Sequence, residues 1–357
     1  MQAVDGTVLK TPLNNKRLSK MEIQNDKIIN FAILGCGMIA SVHADAISKI
    51  PNAKLVAVCD NDFERAKAFA SEKNITAYNN LKEMISCEEI DSVCVCTPSC
   101  FHKDNTIELL NYDKHVVVEK PMAFTASEAD EISLACKKSN KLVTVISQLR
   151  YSSDVNKVKS LVESGAFGTI SLVELSMKYY RSPEYYSSSP WKGKLKFDGG
   201  GALMNQGVHG VDLLQYVLGG VKKVVGATKT LIHDIEVEDT AVAIVEFTNG
   251  ALGTIVASSC AYPGFERTIK IQGSNGYVIL TENKISKIML NGVESSETEA
   301  IKSISASDAS KLDGDYHKIQ LTNFINAVNG KEPLLIDASE GKKAIEIIEK
   351  IYKTNAF

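Results

Sequence analysis

No excess of positive charge marks this chain. Its 40 Lys and Arg stand against 43 Asp and Glu, a net charge of −3, whereas nucleic-acid binders and proteins drawn to anionic membrane surfaces show a basic surplus. Long apolar runs are also missing. Stretches such as Val116–Val118 and Ala241–Val245 fall far short of the roughly 20 residues that span a bilayer. Residues 1–27 contain no apolar core of the kind that marks a secretory leader and read as a polar tail. There is no internal repeat and no low-complexity linker. Eight cysteines are present, but they form neither a disulfide framework nor a tetrahedral metal set. Cys94 and Cys96 fall on one face of a strand-like run, which suits buried, reduced thiols. These absences point to a cytoplasmic globular protein without metal, with nucleic acid and membrane excluded as partners.

At 357 residues the chain is long for one core and predicts two domains. In the first half, short apolar strands alternate with helical stretches of ten or so residues. Strands are expected at 29–34, 55–60, 92–96, 115–119 and 142–146. Helices are expected from about 38 to 50, over 61–73, 103–110 and 127–139. This alternation predicts βαβ units and a doubly wound parallel sheet. After about Gln148 the pattern changes. Residues 169–178 alternate as a strand, and 240–247, Asn249-Gly250 and 251–258 form a hairpin signal. Asn275-Gly276 and Asn291-Gly292 mark further turns. Two helical patterns, 316–328 and 339–352, close the chain, and 297–312 is read as an exposed polar loop. The expectation is α/β: an N-terminal Rossmann domain over 28–148, then an α+β domain over 149–357 with a large, mostly antiparallel open sheet. The C-terminal helix is expected to return to the first domain.

Gly35-x-Gly37-x-x-Ala40 follows the first strand and opens the first helix. This is the dinucleotide fingerprint: Gly35 for a tight turn, Gly37 for close approach of the pyrophosphate, and a helix N-terminus with free N–H groups. Met38 and Ile39 sit at that N-terminus. Asp60 ends the second strand, at the spacing of about 20 residues where a carboxylate meets the adenosine ribose. A carboxylate there favours NAD over NADP, and Arg65 is expected either to weaken that preference or to pair with Asp62. Thr97 and Pro98 end a third strand, where the ligand crevice of such sheets lies. His102 starts the following helix and is read either as a cofactor neighbour or as a simple helix-end residue. Glu119-Lys120-Pro121 is a charged pair at another strand end.

The stretch GGGALMNQGVHGVD, 199–212, raises a separate question. Asn205 and His209 lie four apart on one helical face, with Asp212 three further on, after a glycine run that permits close approach. With GCGMIA (35–40), CTPSCFH (96–102) and EKP (119–121), this stretch resembles the Gfo/Idh/MocA family, named for glucose–fructose oxidoreductase and inositol 2-dehydrogenase. The resemblance spans about 180 residues. It implies hydride transfer between NAD(P) and secondary alcohols of sugars, glycosides or cyclitols, by a homodimer or homotetramer joined through the C-terminal sheet. It implies that Lys120 orients substrate and that His209 is the general acid/base. Asn205 departs from the aspartate of many members, and an amide cannot hold a proton. The Lys120–Pro121 peptide is implied to be cis. Trp191-Lys192 resembles a Trp-Arg pair beside the nicotinamide. Gln148, Arg150 and Tyr151 follow the last Rossmann strand and are expected to read substrate hydroxyls or a carboxylate, with an interdomain salt bridge as the alternative for Arg150. Two other readings stay open: a nucleotide-sugar uronate 3-dehydrogenase with tightly bound NAD, and a non-catalytic sensor of NAD or sugar.

Overall fold

The structure is a computed structural model and describes residues 27–295 and 314–354. Most of the proposed N-terminal tail and the proposed loop at 297–312 lie outside the described residues. The first layer is built from β1 (Ile29–Leu34), α1 (Met38–Ser48), β2 (Ala53–Cys59), α2 (Phe63–Lys73), β3 (Thr76–Tyr78), α3 (Leu81–Cys87), β4 (Ser92–Val95), α4 (His102–Asn111), β5 (His115–Val118), α5 (Ala126–Ser139) and β6 (Val143–Val145). The six strands run parallel in the order β3-β2-β1-β4-β5-β6. This is the doubly wound order, whose ligand crevice opens at the strand carboxyl ends, between β1 and β4.

Local chemistry explains these elements. β1 and β5 are apolar on both faces because helices cover both sides of the sheet. The Asp62 side chain caps α2 by accepting from Arg65 N–H. Thr125 and Glu128 form a reciprocal capping box at the start of α5.

The second layer contains α6 (Ser153–Glu163), β7 (Ile170–Lys178), α7 (Pro183–Ser187), α8 (Leu195–Asp198), a π-helical turn at Ala202–Gly207 and α9 (Val208–Leu218). The strands β8 (Val221–Lys229), β9 (Thr240–Phe247), β10 (Leu252–Ser258), β11 (Thr268–Gly273), β12 (Gly276–Thr281), β13 (Lys284–Leu290) and β14 (Val293–Ser295) follow. Eight strands form one sheet in the order β14-β13-β12-β11-β7-β10-β9-β8. Every pairing is antiparallel except that of β7 with β10. One face is buried through Val173, Leu175, Ala243, Val245, Ile255 and Ile269. Residues of the opposite parity, among them Leu172, Val225, Val242, Ile244 and Leu252, stand exposed.

The last two helices, α10 (Gly314–Val328) and α11 (Ala338–Lys353), return across both layers. Leu321, Phe324 and Ile325 of α10 complete the core between α1 and the first sheet, where Phe324 meets Phe31 at 6.3 Å. α11 buries Ala344, Ile347, Ile348 and Ile351 in the core that joins the two layers.

Candidate active site

The crevice at the end of β1 is shaped by glycine. Gly35 has φ +96°, and a Cβ there would sit 2.8 Å from the backbone of Cys96 and Thr97, so no other residue fits. A Cβ on Gly37, which precedes α1, would meet nothing within 4 Å. The bare glycine therefore leaves open space over the helix N-terminus, which suits a pyrophosphate. Met38, the next residue, is 70% exposed at this mouth, and Ile39 is partly buried behind it. Asp60 is buried at the end of β2. Its Oδ2 accepts from Cys36 N–H at 2.8 Å and its Oδ1 from Asp62 N–H at 2.9 Å. An ionised carboxylate has about four acceptor positions, so capacity remains for ribose hydroxyls. Arg65 lies 3.0 Å from Asp62 and 3.6 Å from Asp60. These residues fit a dinucleotide.

At the end of β4, the Thr97 hydroxyl donates to Asn105 Oδ1 at 3.0 Å, and Pro98 leads into a short 3₁₀ turn. His102 is fully buried. Its Nδ1 is 2.7 Å from the Pro121 carbonyl and its Nε2 2.8 Å from that of Thr97. The ring is a strut that ties the β4 end to the Lys120–Pro121 turn. Burial pushes its pKa down against the pull of those carbonyls. The Lys120–Pro121 peptide is cis.

Glu119 points inward. Its Oε1 is 2.9 Å from His43 Nε2 on α1 and 3.9 Å from His317 Nε2 on α10. Burial raises the carboxyl pKa, but the His43 hydrogen bond and the charges of His43, His317 and Lys120 outweigh it and hold it at about 2. The three side chains bring potential ligand atoms within 4.8 Å of one another. Within this set, His43 and Glu119 make a buried ion pair. Sequence reasoning missed both histidines. The signal was a histidine on the buried face of each helix.

Lys120 points the other way, to the second layer. Its ammonium donates to the Asn205 backbone carbonyl at 3.3 Å. Burial lowers its pKa, Glu119 and Asp198 raise it, and Arg181 lowers it. His209 lies one turn beyond Asn205 and lines one small cavity together with Lys120, Pro121 and Ser147. Burial and then the Lys120 charge push its imidazole well below the ordinary value. A neutral imidazole thus faces an ammonium at the junction of the two layers.

The glycine run that precedes them serves close packing inside the chain. Gly199 has φ +66° and would drive a Cβ into the Phe124 ring. A Cβ on Gly200 would strike the Tyr352 hydroxyl, and one on Gly201 the Glu238 carbonyl. Glu238 accepts from Gly201 N–H at 2.8 Å and from Leu203 N–H at 2.9 Å. It thereby satisfies donors that the π turn leaves open at its start. Turns of this kind recur at functional sites.

Arg150 forms the salt bridge expected as its alternative role. Its guanidinium is buried and faces Asp212, with Nε to Oδ2 at 2.9 Å and Nη2 to Oδ1 at 2.5 Å. Nη1 reaches Glu340 at 2.8 Å. The group clamps α9 to α11, so Asp212 of the 199–212 stretch is a partner of Arg150. Tyr151 donates to Asn323 at 3.2 Å. Gln148 is buried, and its Oε1 finds no hydrogen-bond partner among the described residues, which suits a ligand-facing acceptor. Trp191 and Lys192 sit on a loop after α7. Lys192 Nζ donates to Ser188 at 2.9 Å and lies 4.2 Å over the Tyr185 ring.

Two residues that the sequence did not single out belong to this region. Asp198 accepts from Asn205 Nδ2 at 3.0 Å and from Gly193 N–H at 2.7 Å. Arg181 donates to Gln206 at 2.6 Å. All eight cysteines are free.

Known proteins repeat this architecture. Among solved structures, the WlbA dehydrogenase of Bordetella pertussis, in complex with NADH and UDP-GlcNAcA, is 31% identical with a TM-score of 0.82. The match covers 92% of this chain and 97% of that one. The myo-inositol 2-dehydrogenase of Thermotoga maritima is 24% identical over 89% of this chain and 93% of its own length. The D-glucoside 3-dehydrogenase of Escherichia coli is 25% identical over 91% and 95%. Residues 29–147 match the oxidoreductase family with an NAD-binding Rossmann fold, and residues 155–279 match the GFO/IDH/MocA C-terminal domain. With both halves of the architecture matched around a glycine cradle that fits a dinucleotide, the chain belongs to the GFO/IDH/MocA family of NAD-binding oxidoreductases.

Proposed function

We propose that this protein moves a hydride between NAD and a secondary alcohol of a sugar derivative, with Lys120 and His209 handling the hydroxyl. The observation that carries the proposal is the meeting of a neutral imidazole and an ammonium, contributed by the two layers, at one cavity. His209 accepts the hydroxyl proton, because its depressed pKa keeps it unprotonated at neutral pH. Lys120 stabilises the negative charge that develops on the oxygen. Asn205 and Gln148 offer amide groups that position hydroxyls. Bound NAD supplies a hydride acceptor at the nicotinamide C4. The carbinol carbon loses its hydride, its oxygen loses a proton to His209, and a ketone results. Asp60 supports NAD over NADP, because a carboxylate at that place repels a 2′-phosphate.

One observation favours a nucleotide-sugar uronate as the substrate. Arg181 lowers the pKa of both Lys120 and Lys192, so three cations lie together, balanced in part by Asp198 beside Lys120 and Lys192 and by Glu119 beside Lys120. Such a cluster suits an anionic substituent, and the WlbA relative was solved with one. The exposed apolar face of the eight-stranded sheet is further proposed as a contact between subunits, tested by light scattering. Eight free thiols support a cytoplasmic location.

The test is a panel of sugars, cyclitols, glycosides and nucleotide-sugar uronates with NAD or NADP, following absorbance of the reduced cofactor. Turnover of at least one alcohol is expected, fastest with a uronate. A panel without turnover, alongside measurable NAD binding, would leave a cofactor sensor as the better reading.

A further inference from the structure

Asn205 stands one turn before His209 and receives Lys120 at its backbone, but its amide can neither hold a proton nor supply charge. The geometry points to Asp198 as the residue that fills this role: a positioning residue that orients the Asn205 amide and keeps the Lys120 ammonium charged beside a neutral His209.

Asp198 is only 4% exposed and closes α8. Its two oxygens are divided between two partners, Gly193 N–H at 2.7 Å and Asn205 Nδ2 at 3.0 Å. Only the NH₂ edge of an amide can meet a carboxylate. The Asn205 Oδ1 is therefore left as an acceptor for a substrate hydroxyl. The same Asn205 receives Lys120 at its backbone carbonyl. A chain of contacts thus runs from Asp198 through Asn205 to Lys120. Gly193 follows Trp191-Lys192, so the carboxylate also anchors the loop that carries those residues. The position is fixed, because Gly199 turns the backbone at φ +66° against the Phe124 ring.

The charged and titratable groups that face Asp198 are Lys120, Lys192, Tyr186 and Cys100. Burial raises the Asp198 carboxyl to about 6, although Gly193, Asn205, Lys120 and Lys192 pull it down. It is thus largely ionised at neutral pH. Its charge joins that of Glu119 in supporting the Lys120 ammonium against burial and Arg181.

The catalytic part of the inference rests on the hydride-transfer reading, but the electrostatic part does not. The deciding experiment is trace acylation of Lys120 across pH in the NAD-free full chain, read by mass spectrometry against the exposed Lys82. Asp198→Asn is expected to lower the apparent Lys120 pKa by about one unit, making Lys120 about tenfold more reactive near pH 8. Asp198→Glu, which keeps the charge, and Asn205→Ala, which keeps Asp198, are expected to titrate like wild type. Superimposable titrations for wild type and Asp198→Asn, or equal shifts in the Asn and Glu variants, would overturn the inference. With an oxidised alcohol in hand, Asp198→Asn lowers kcat more than it raises KM and leaves the NAD dissociation constant unchanged. Failure of wild type to oxidise any alcohol would count against hydride transfer, while the acylation result still decides the role of Asp198.

Discussion

Replacing Arg150 by methionine separates two roles that the sequence leaves open for it. The guanidinium makes three charge-assisted hydrogen bonds, two to Asp212 and one to Glu340. Asp212 is almost as deeply buried as the arginine itself. Methionine fills the space of the stem but leaves the Asp212 carboxylate without its partner. Breaking one side of a buried ion pair costs about 3–5 kcal/mol. At about 2.1 cal/mol/K of unfolding entropy per residue, a chain of 357 residues loses about 1.3 °C of melting temperature per kcal/mol. A fall of roughly 4–7 °C in a calorimetric or fluorescence melt is therefore expected. The KM measured well below the melt should stay near wild type. Asp212→Asn should lose much of the same stability. The double variant Arg150→Met/Asp212→Leu should recover part of it, since the orphaned charge is gone. An unchanged melting temperature with a KM raised tenfold or more would refute the clamp and restore Arg150 to the substrate face.

Other expectations follow from the same geometry. Lys120→Met and His209→Phe should each lower turnover by about 10²–10⁴-fold and leave NAD affinity nearly intact, as read by titration of cofactor fluorescence. Because His209 sits below its ordinary value, the acid limb of kcat/KM governed by it should fall below pH 6.5, and Lys120→Met should move that limb upward. Glu119 is held at about 2 against an ordinary 4.5. Its contribution to stability is full above pH 4.5 and is lost as pH falls toward 2, so Glu119→Gln should flatten the acid side of a stability profile over that window. Gly37→Ala should fold normally and bind NAD more weakly, whereas Gly201→Ala should fail to fold, because its Cβ meets the Glu238 carbonyl at 1.9 Å.

Much of this was legible in the residues, for reasons that differ by element. The strands with continuous apolar runs, β1, β4 and β5, and the long helices announce themselves by period. β3, α3 and α7 are too short for a period to register. In β8 the pair Lys222-Lys223 interrupts the alternation, because that strand is an edge whose outer face is solvated. α6 carries more polar than apolar residues and does not stand out. The cofactor cradle was legible because it is local: a turn, a helix start and a strand end supply it. Lys120 and His209 stood out for the chemistry of their neighbours. Arg150 did not declare its role, because its partners lie 62 and 190 residues away. Asp198 escaped notice because a carboxylate at the end of GKLKFD is indistinguishable from a solvated surface charge until Gly193 and Asn205 fold over it. The glycine run was legible as a place of close approach, and the groups that approach are Phe124, Tyr352 and Glu238.

The path of α10 has a consequence for how this protein comes to exist. The first layer holds an unfinished core while the ribosome is making the second, for Leu321, Phe324 and Ile325 follow all the strands of the second layer in the chain. His317, beside Glu119, arrives with them. The nucleotide-binding half cannot therefore be treated as a detachable module that folds first and waits. Excised at about residue 148, it would present a bare apolar groove along α1, and its Glu119 would lack one of its two histidines. Maturation of the cofactor site is thus tied to synthesis through α10, so that a chain terminated before that helix is denied a finished nucleotide pocket.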